Sequence, residues 1–164
     1  RQAQVSEKDT ETHGQGGGSP FSWKVATATQ DIKEIMVKCG TYLDQIQIML
    51  SDGVKTYYSP TFGGGGGGSK SFTIPSKDRL HQIGFRSGKY VDSIQLYTEK
   101  GVKSDRFGGT GGGASMVTIP DGYRVIGIFG NGGKYVDKLG FHLAKTVYPS
   151  GVETVEETEL ILIE

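Results

Sequence analysis

Cysteine is nearly absent: Cys39 stands alone among 164 residues, so no disulfide can close within the chain. A lone thiol either pairs with a second chain in an oxidising compartment or packs as a small apolar residue, and both readings stand. The sequence has no run of 18 apolar residues, so nothing in it reads as a membrane-spanning helix. Charge of either sign is in no excess, with 18 basic residues against 18 acidic, which argues against a nucleic-acid binder. Asparagine occurs once, at Asn131, outside any glycosylation sequon. Helical periodicity is missing throughout. The three histidines, His13, His81 and His142, fall at no metal-ligand spacing, and Ser, His and Asp occur without a nucleophile elbow. No cofactor, metal or catalytic residue is expected.

Glycine, by contrast, is plentiful at 27 residues, and it disfavours helices. Apolar and polar residues alternate in "DQIQIML" and "DSIQLYT", the period of half-buried strands. Asp52-Gly53, Lys100-Gly101 and Asp121-Gly122 read as hairpin turns between such runs. Ile32 to Val37 is apolar at both parities, as expected of a strand set into the core. The fold class is all-β, in one domain.

One pattern recurs three times. Gly40-Thr41-Tyr42-Leu43-Asp44, Gly88-Lys89-Tyr90-Val91-Asp92 and Gly133-Lys134-Tyr135-Val136-Asp137 start 48 and 45 residues apart. A repeat of that length implies one supersecondary unit used three times. Glycine-rich stretches at 16–18, 63–68 and 108–113 accompany the three copies. Unit one is expected over about 32–82, unit two over about 83–124, and unit three from Val125, completed by residues 14–23 so that the chain ends meet. Residues 1–13, polar and aperiodic, read as a flexible arm. Residues 149–164, with Glu153, Glu156, Glu157 and Glu159 before Leu160 to Ile163, read as an extension: an edge strand, a subunit contact or a frayed tail.

In each copy the glycine lets the backbone bend so that N–H groups share one concavity. The aspartate accepts two or more hydrogen bonds, and the tyrosine offers a flat apolar face with a polar tip. A pyranose, with vicinal hydroxyls and a C–H face, matches that set. A strand-end turn with a capping aspartate is the plain alternative for any one copy. "GGGGGGSKS" lacks the Gly-Lys-Ser/Thr and helix of a phosphate-binding loop. Trp23 reads as a core or rim residue, and Tyr57 and Tyr58 as straddling a strand.

Together "GGGSPFS", "FGGTGGGAS" and "GNGGKYVDKLGFHL" resemble the jacalin-related lectins, in particular their mannose-binding, three-site, griffithsin-like branch. The resemblance covers about residues 14–148. It implies a β-prism I of three four-stranded Greek-key sheets with pseudo-threefold symmetry. It further implies reversible binding of mannose-type oligosaccharides and glycoproteins, without catalysis, by a secreted, extracellular protein. The start at Arg1 rather than Met leads us to expect a processed or trimmed terminus. Carried over by position, one site uses the N–H groups of Thr41 and Tyr42, the Asp44 carboxylate and the Gly67 N–H. Lys89, Tyr90 and Asp92 with Gly112 form the second, and Lys134, Tyr135 and Asp137 with Gly18 the third. A homodimer, through Cys39 or the terminal extensions, would multiply the sites. The competing reading is a structural matrix or biomineral-associated protein with vestigial loops. A domain of a pore-forming or enzymatic assembly ranks last, on the shortness of the tails.

Overall fold

The computed structural model describes residues 4–147. It contains fourteen strands: β1 (Gln4–Asp9), β2 (His13–Gly14), β3 (Ser19–Lys24), β4 (Asp31–Cys39), β5 (Leu43–Ser51), β6 (Thr56–Tyr58), β7 (Phe62–Gly63), β8 (Gly68–Thr73), β9 (Leu80–Ser87), β10 (Val91–Thr98), β11 (Phe107–Gly108), β12 (Gly113–Thr118), β13 (Arg124–Gly132) and β14 (Val136–Val147). They form three antiparallel sheets. The second runs β11-β10-β9-β12, a Greek key in which the fourth strand returns beside the first. The first repeats that order as β7-β5-β4-β8, with β6 added alongside β5. The third repeats it as β2-β14-β13-β3, with β1 added outside β14. The N-terminal segment therefore completes the unit begun at β13, as the repeat requires. This is the β-prism.

Boundaries differ from the sequence expectation in two places. Leu80 to Gln82 belong to β9, so unit two starts earlier. The flexible arm is a correction: Gln4–Asp9 pair residue for residue with β14, from Gln4↔Val147 to Asp9↔His142. The strand shows no alternation because almost all of it is exposed. Side chains on the outer face hold it instead. Lys24 Nζ donates to Glu7 Oε1 at 2.6 Å. Asp9 Oδ1 and Ser22 Oγ bracket the His142 ring at 2.6 and 2.7 Å. As a carboxylate, Asp9 accepts from the Nδ1 N–H, and the Ser22 hydroxyl pairs with Nε2 on the other side of the ring. Residues 149–164 lie outside the described residues.

The prism interior is built by alternation. Ile46, Ile48 and Leu50 of β5, Ile94 and Leu96 of β10, and Leu139, Phe141 and Leu143 of β14 are buried against one another. Each such side chain stabilises the fold by about 1.5–3 kcal/mol. The two-sided look of Ile32 to Val37 has a simple cause. A bulge between Ile32 and Glu34 switches parity, so Ile32, Ile35 and Val37 all face inward. Cys39 lies in the same core, 7% exposed, and burial pushes its thiol pKa up. A dimer bridged through Cys39 does not fit that position. Tyr57 packs on the core and Tyr58 is exposed, and Trp23 sits half-buried at the rim. Asp52-Gly53 does turn β5 into β6, whereas Asp121-Gly122 joins two sheets rather than a hairpin.

Two further devices hold the units. Asp31, at the start of β4, takes Arg79 at 3.4 Å and Arg124 at 3.2 Å, which links the first strands of all three units. A hydroxyl, buried in the first two sheets and half-buried in the third, also closes each sheet alike. Ser59 Oγ accepts the Ile48 N–H, Ser104 Oγ the Leu96 N–H and Thr10 Oγ1 the Phe141 N–H, at 2.9–3.0 Å. Each hydroxyl then donates to the carbonyl of the residue that follows it, Pro60, Asp105 and Glu11. Thr10 and His13 thus occupy repeat positions. We expect Ser104→Ala, which strands a buried N–H, to lower stability by about 2 kcal/mol in chemical denaturation. Unchanged stability would mean that water replaces the hydroxyl.

Candidate carbohydrate site

Each Gly-X-Tyr-Val/Leu-Asp segment is the turn from one long strand into the next, at one end of the prism. The turn closes identically three times: Gly40 N–H donates to Tyr42 O, Gly88 to Tyr90 O and Gly133 to Tyr135 O, all at 3.0 Å. Leu43, Val91 and Val136 are wholly buried and anchor the turns in the core. The aspartate then stands at the turn-side end of an interior strand, facing its own glycine stretch.

That facing is close. A Cβ at Gly67 would stand 2.7 Å from Asp44 Oδ1, and one at Gly66 3.0 Å from Oδ2. Gly112 and Gly111 meet Asp92 in the same way at 2.7 Å each, and Gly18 and Gly17 meet Asp137 at 3.1 and 2.8 Å. Gly67, Gly112 and Gly18 share φ of 78°, 71° and 70°, which settles Gly67 rather than Gly68 as the counterpart of the other two. Any side chain there would fill the hollow.

The aspartates are 6–7% exposed, yet no protein hydrogen bond or ion pair engages their carboxylates among the described residues. The capping-aspartate alternative therefore fails. Burial pushes the Asp44 and Asp137 carboxyls above their ordinary range, and Lys134 and Lys89 respectively offset part of that rise.

Those lysines belong to neighbouring units, which spacing could not reveal. A Cβ at Gly64 would touch the Lys134 carbonyl at 2.1 Å, and one at Gly109 the Thr41 carbonyl at 2.2 Å. The first and second glycine stretches thus lean on a neighbouring unit's turn. Lys134 flanks the Asp44 hollow, Lys89 the Asp137 hollow, and Thr41 the Asp92 hollow. The sequence reading grouped each X residue only with its own aspartate.

The tyrosines also differ from expectation. Tyr42, Tyr90 and Tyr135 pack on one another with centroids 4.6–5.0 Å apart. Lys89 and Lys134 lie over their own tyrosine rings at 5.6 Å. The rings form a hub joining the three turns, so their faces are not free platforms. Sequence reasoning missed Arg86 as well. Its Nε donates to Thr110 O and Gly111 O at 3.0 and 3.1 Å, and Nη2 to Gly112 O at 2.7 Å. At the equivalent position Asn131 reaches Gly16 O at only 3.5 Å.

The structure does assemble a serine, a histidine and an aspartate, at Ser22, His142 and Asp9. Ser22 lies on an extended strand of an open sheet face, not on the sharp turn that presents a hydrolase nucleophile. The arrangement fastens β1. Among the described residues no three His, Cys, Asp or Glu side chains are grouped as metal ligands.

Residues 10–142 match the family described as the Jacalin-like lectin domain. The fold is similar to a mannose-binding jacalin-related lectin of Ananas comosus, with a TM-score of 0.71 at 20% identity over 84% of this chain and 96% of that one. Artocarpin in complex with mannotriose gives 0.71 at 16% identity over 87% and 98%. The Calystegia sepium agglutinin gives 0.66 at 20% identity over 86% and 95%. A Schizosaccharomyces pombe protein named for zinc metalloproteinase activity is 36% identical over 87 residues, 51% of this chain but 13% of that protein. The chain thus spans a small part of that relative, and the length of its tails cannot rank it as a free-standing domain. With the matched segment, residues 10–142, covering all three sheets except β1 and the end of β14, the chain belongs to the Jacalin-like lectin domain family.

Proposed function

We propose that this chain is a multivalent lectin, working outside the cell, that reversibly binds mannose-type glycans through three hollows per chain. One observation carries the reading. Three nearly buried carboxylates, each without a protein partner among the described residues, face glycine stretches that put no side chain in front of them. A buried charge normally acquires a partner. Repeated three times, the vacancy is a place for hydroxyl donors.

In each hollow the carboxylate accepts from two adjacent sugar hydroxyls. The N–H groups of the turn, Thr41 and Tyr42, Lys89 and Tyr90, or Lys134 and Tyr135, donate to sugar oxygens. Gly67, Gly112 or Gly18 brings one more N–H close. No bond in the sugar is made or broken. That artocarpin was crystallised with mannotriose supports the choice of mannose over other hexoses. Glycoproteins bearing branched mannose chains are the proposed partners.

A single shallow hollow gives a Kd of about a millimolar, and bridging within one branched glycan raises apparent affinity by about 10²–10⁴. Titration with methyl mannoside, followed by amide NMR, tests the reading. Gly18, Gly67 and Gly112 amides are expected to shift together with saturation, at three sites per chain. Silence toward mannose, glucose and galactose across a glycan array would sink the lectin reading and favour a structural role.

A further inference from the structure

We propose that the Asp92 hollow continues onto the outer face of the second sheet as a subsite for a sugar residue bearing a sulfate or carboxylate. The inference rests on the lectin reading above and goes beyond it to a second ligand chemistry.

The three units act as their own control. Register makes Gly84 of β9 equivalent to Met36 of β4 and Phe129 of β13. In the first and third sheets a large side chain occupies that mid-sheet position. In the second it is missing, and the vacant Cβ position looks onto the Tyr97 ring at 3.4 Å and Met116 Cε at 3.8 Å. The groove here, about 140 Å3, is floored by Gly84 and walled by Tyr97, Met116, Arg86 and Arg106, whereas the wider hollow of about 380 Å3 on the first sheet runs beside Met36 and holds no arginine. Tyr97 is held in place, its hydroxyl donating to Gln95 Oε1 at 3.0 Å.

Both arginines are peculiar to this unit. Arg86 is equivalent to Lys38 and Asn131. Arg106 precedes Phe107 as Thr61 precedes Phe62 and Thr12 precedes His13. Among the described residues neither arginine has a carboxylate within 4.0 Å. Arg106 reaches only Ser93 Oγ, at 3.5 Å. Arg86 spends Nε and one Nη2 hydrogen on the glycine stretch, which leaves further N–H groups of its fork for an anion. No acidic residue lines the groove, whereas the hollow on the first sheet mixes Glu34 with Lys38 and Lys70.

Continuity with the sugar hollow comes through Arg86. It bonds the carbonyl of Gly112, whose missing Cβ faces Asp92 Oδ1 at 2.7 Å. A residue linked to a mannose in that hollow passes over Arg86 into the groove. There the Tyr97 ring meets its C–H face and the two guanidinium forks meet a planar or tetrahedral anion.

The test is calorimetric titration of the full chain with neutral mannotriose, sulfated mannotriose and a mannotriose extended by a uronic acid. Both anionic ligands are expected to bind about tenfold tighter than the neutral one at low salt, with the advantage shrinking as salt rises. Arg106→Thr and Gly84→Met, which install the first sheet's own residues, each erase the advantage and leave neutral affinity unchanged. This also separates the groove from Lys89 and Lys134, which stay in place. Equal affinities, or an advantage that survives both variants, overturn the subsite alone. An advantage that survives Asp92→Ala overturns its continuity with the hollow. An acidic peptide gaining equally reassigns the groove to a protein partner, and no binding of neutral mannotriose overturns the lectin reading together with the subsite.

Discussion

Asp44→Ala, Asp92→Ala and Asp137→Ala combined abolish mannoside binding, and the protein stays folded. The expected loss exceeds a hundredfold, beyond calorimetric detection for sites that begin near millimolar. The carboxylates face the glycine stretches at close range, and without them the sugar hydroxyls lose their charged acceptor. Folding survives because no protein group depends on these side chains: among the described residues they carry no hydrogen bond or ion pair. Single variants remove one hollow each and cut the count from three to two. Full binding by the triple variant would refute the assignment of all three hollows. Collapse of the fold would mean that the carboxylates hold the turns.

Acid sensitivity follows with a definite sign. Burial raises the folded-state pKa of Asp44 and Asp137 above that of the unfolded chain, against the partial offset of Lys134 and Lys89. A raised carboxyl pKa means that the folded state favours the proton. Stability from that preference is present below the unfolded value and lost as pH rises through the folded one. Ionised at neutral pH, the two groups weigh slightly against the fold. Asp44→Asn with Asp137→Asn therefore leaves neutral-pH stability unchanged or a few degrees higher in Tm. For binding, the ionised form is the useful one. Mannoside affinity at these two hollows falls, on acidification, at a higher pH than an ordinary aspartate would give.

The sequence announced the repeat because its landmarks are strict. Glycine, tyrosine and aspartate hold fixed offsets, and each anchor residue, Leu43, Val91 or Val136, is buried. Closure of unit three by residues 14–23 followed from counting glycine stretches, and the sheets confirm it. What stayed hidden was tertiary. Thr10 carries the same hydroxyl as Ser59 and Ser104, but a threonine in a polar stretch has no periodicity to betray it. β1 was invisible because an added edge strand exposes nearly every residue. Lys134 reaches a neighbour's hollow, and no spacing within one copy encodes the order of units around an axis. The tyrosines were assigned to sugar from chemistry alone. Their convergence at 4.6–5.0 Å is a property of the threefold assembly.

The six-glycine run looks uniform in sequence and is not uniform in space, so alanine at two of its positions, with Gly53 outside the run for comparison, should separate sharply. Gly65→Ala meets nothing within 4 Å and needs no unusual φ, so stability should hold within about 0.5 kcal/mol. Gly53→Ala, in the β5–β6 turn, also has open space but sits at φ 93° and should lose about 1 kcal/mol. Gly63→Ala combines φ 103° with a Cβ 2.2 Å from the Asp44 carbonyl oxygen and 3.1 Å from Val136 Cγ2. The carbonyl is backbone and cannot swing aside without moving the strand that carries Asp44. The expected loss is about 3 kcal/mol, or roughly 10 °C in Tm. The same displacement spoils the Asp44 hollow, so mannoside stoichiometry falls from three to two at temperatures where the variant remains folded. Equal Tm values for the three variants would show that the close packing of β7 against β5 relaxes freely, and the rigid hollow built on that packing would then lose its physical basis.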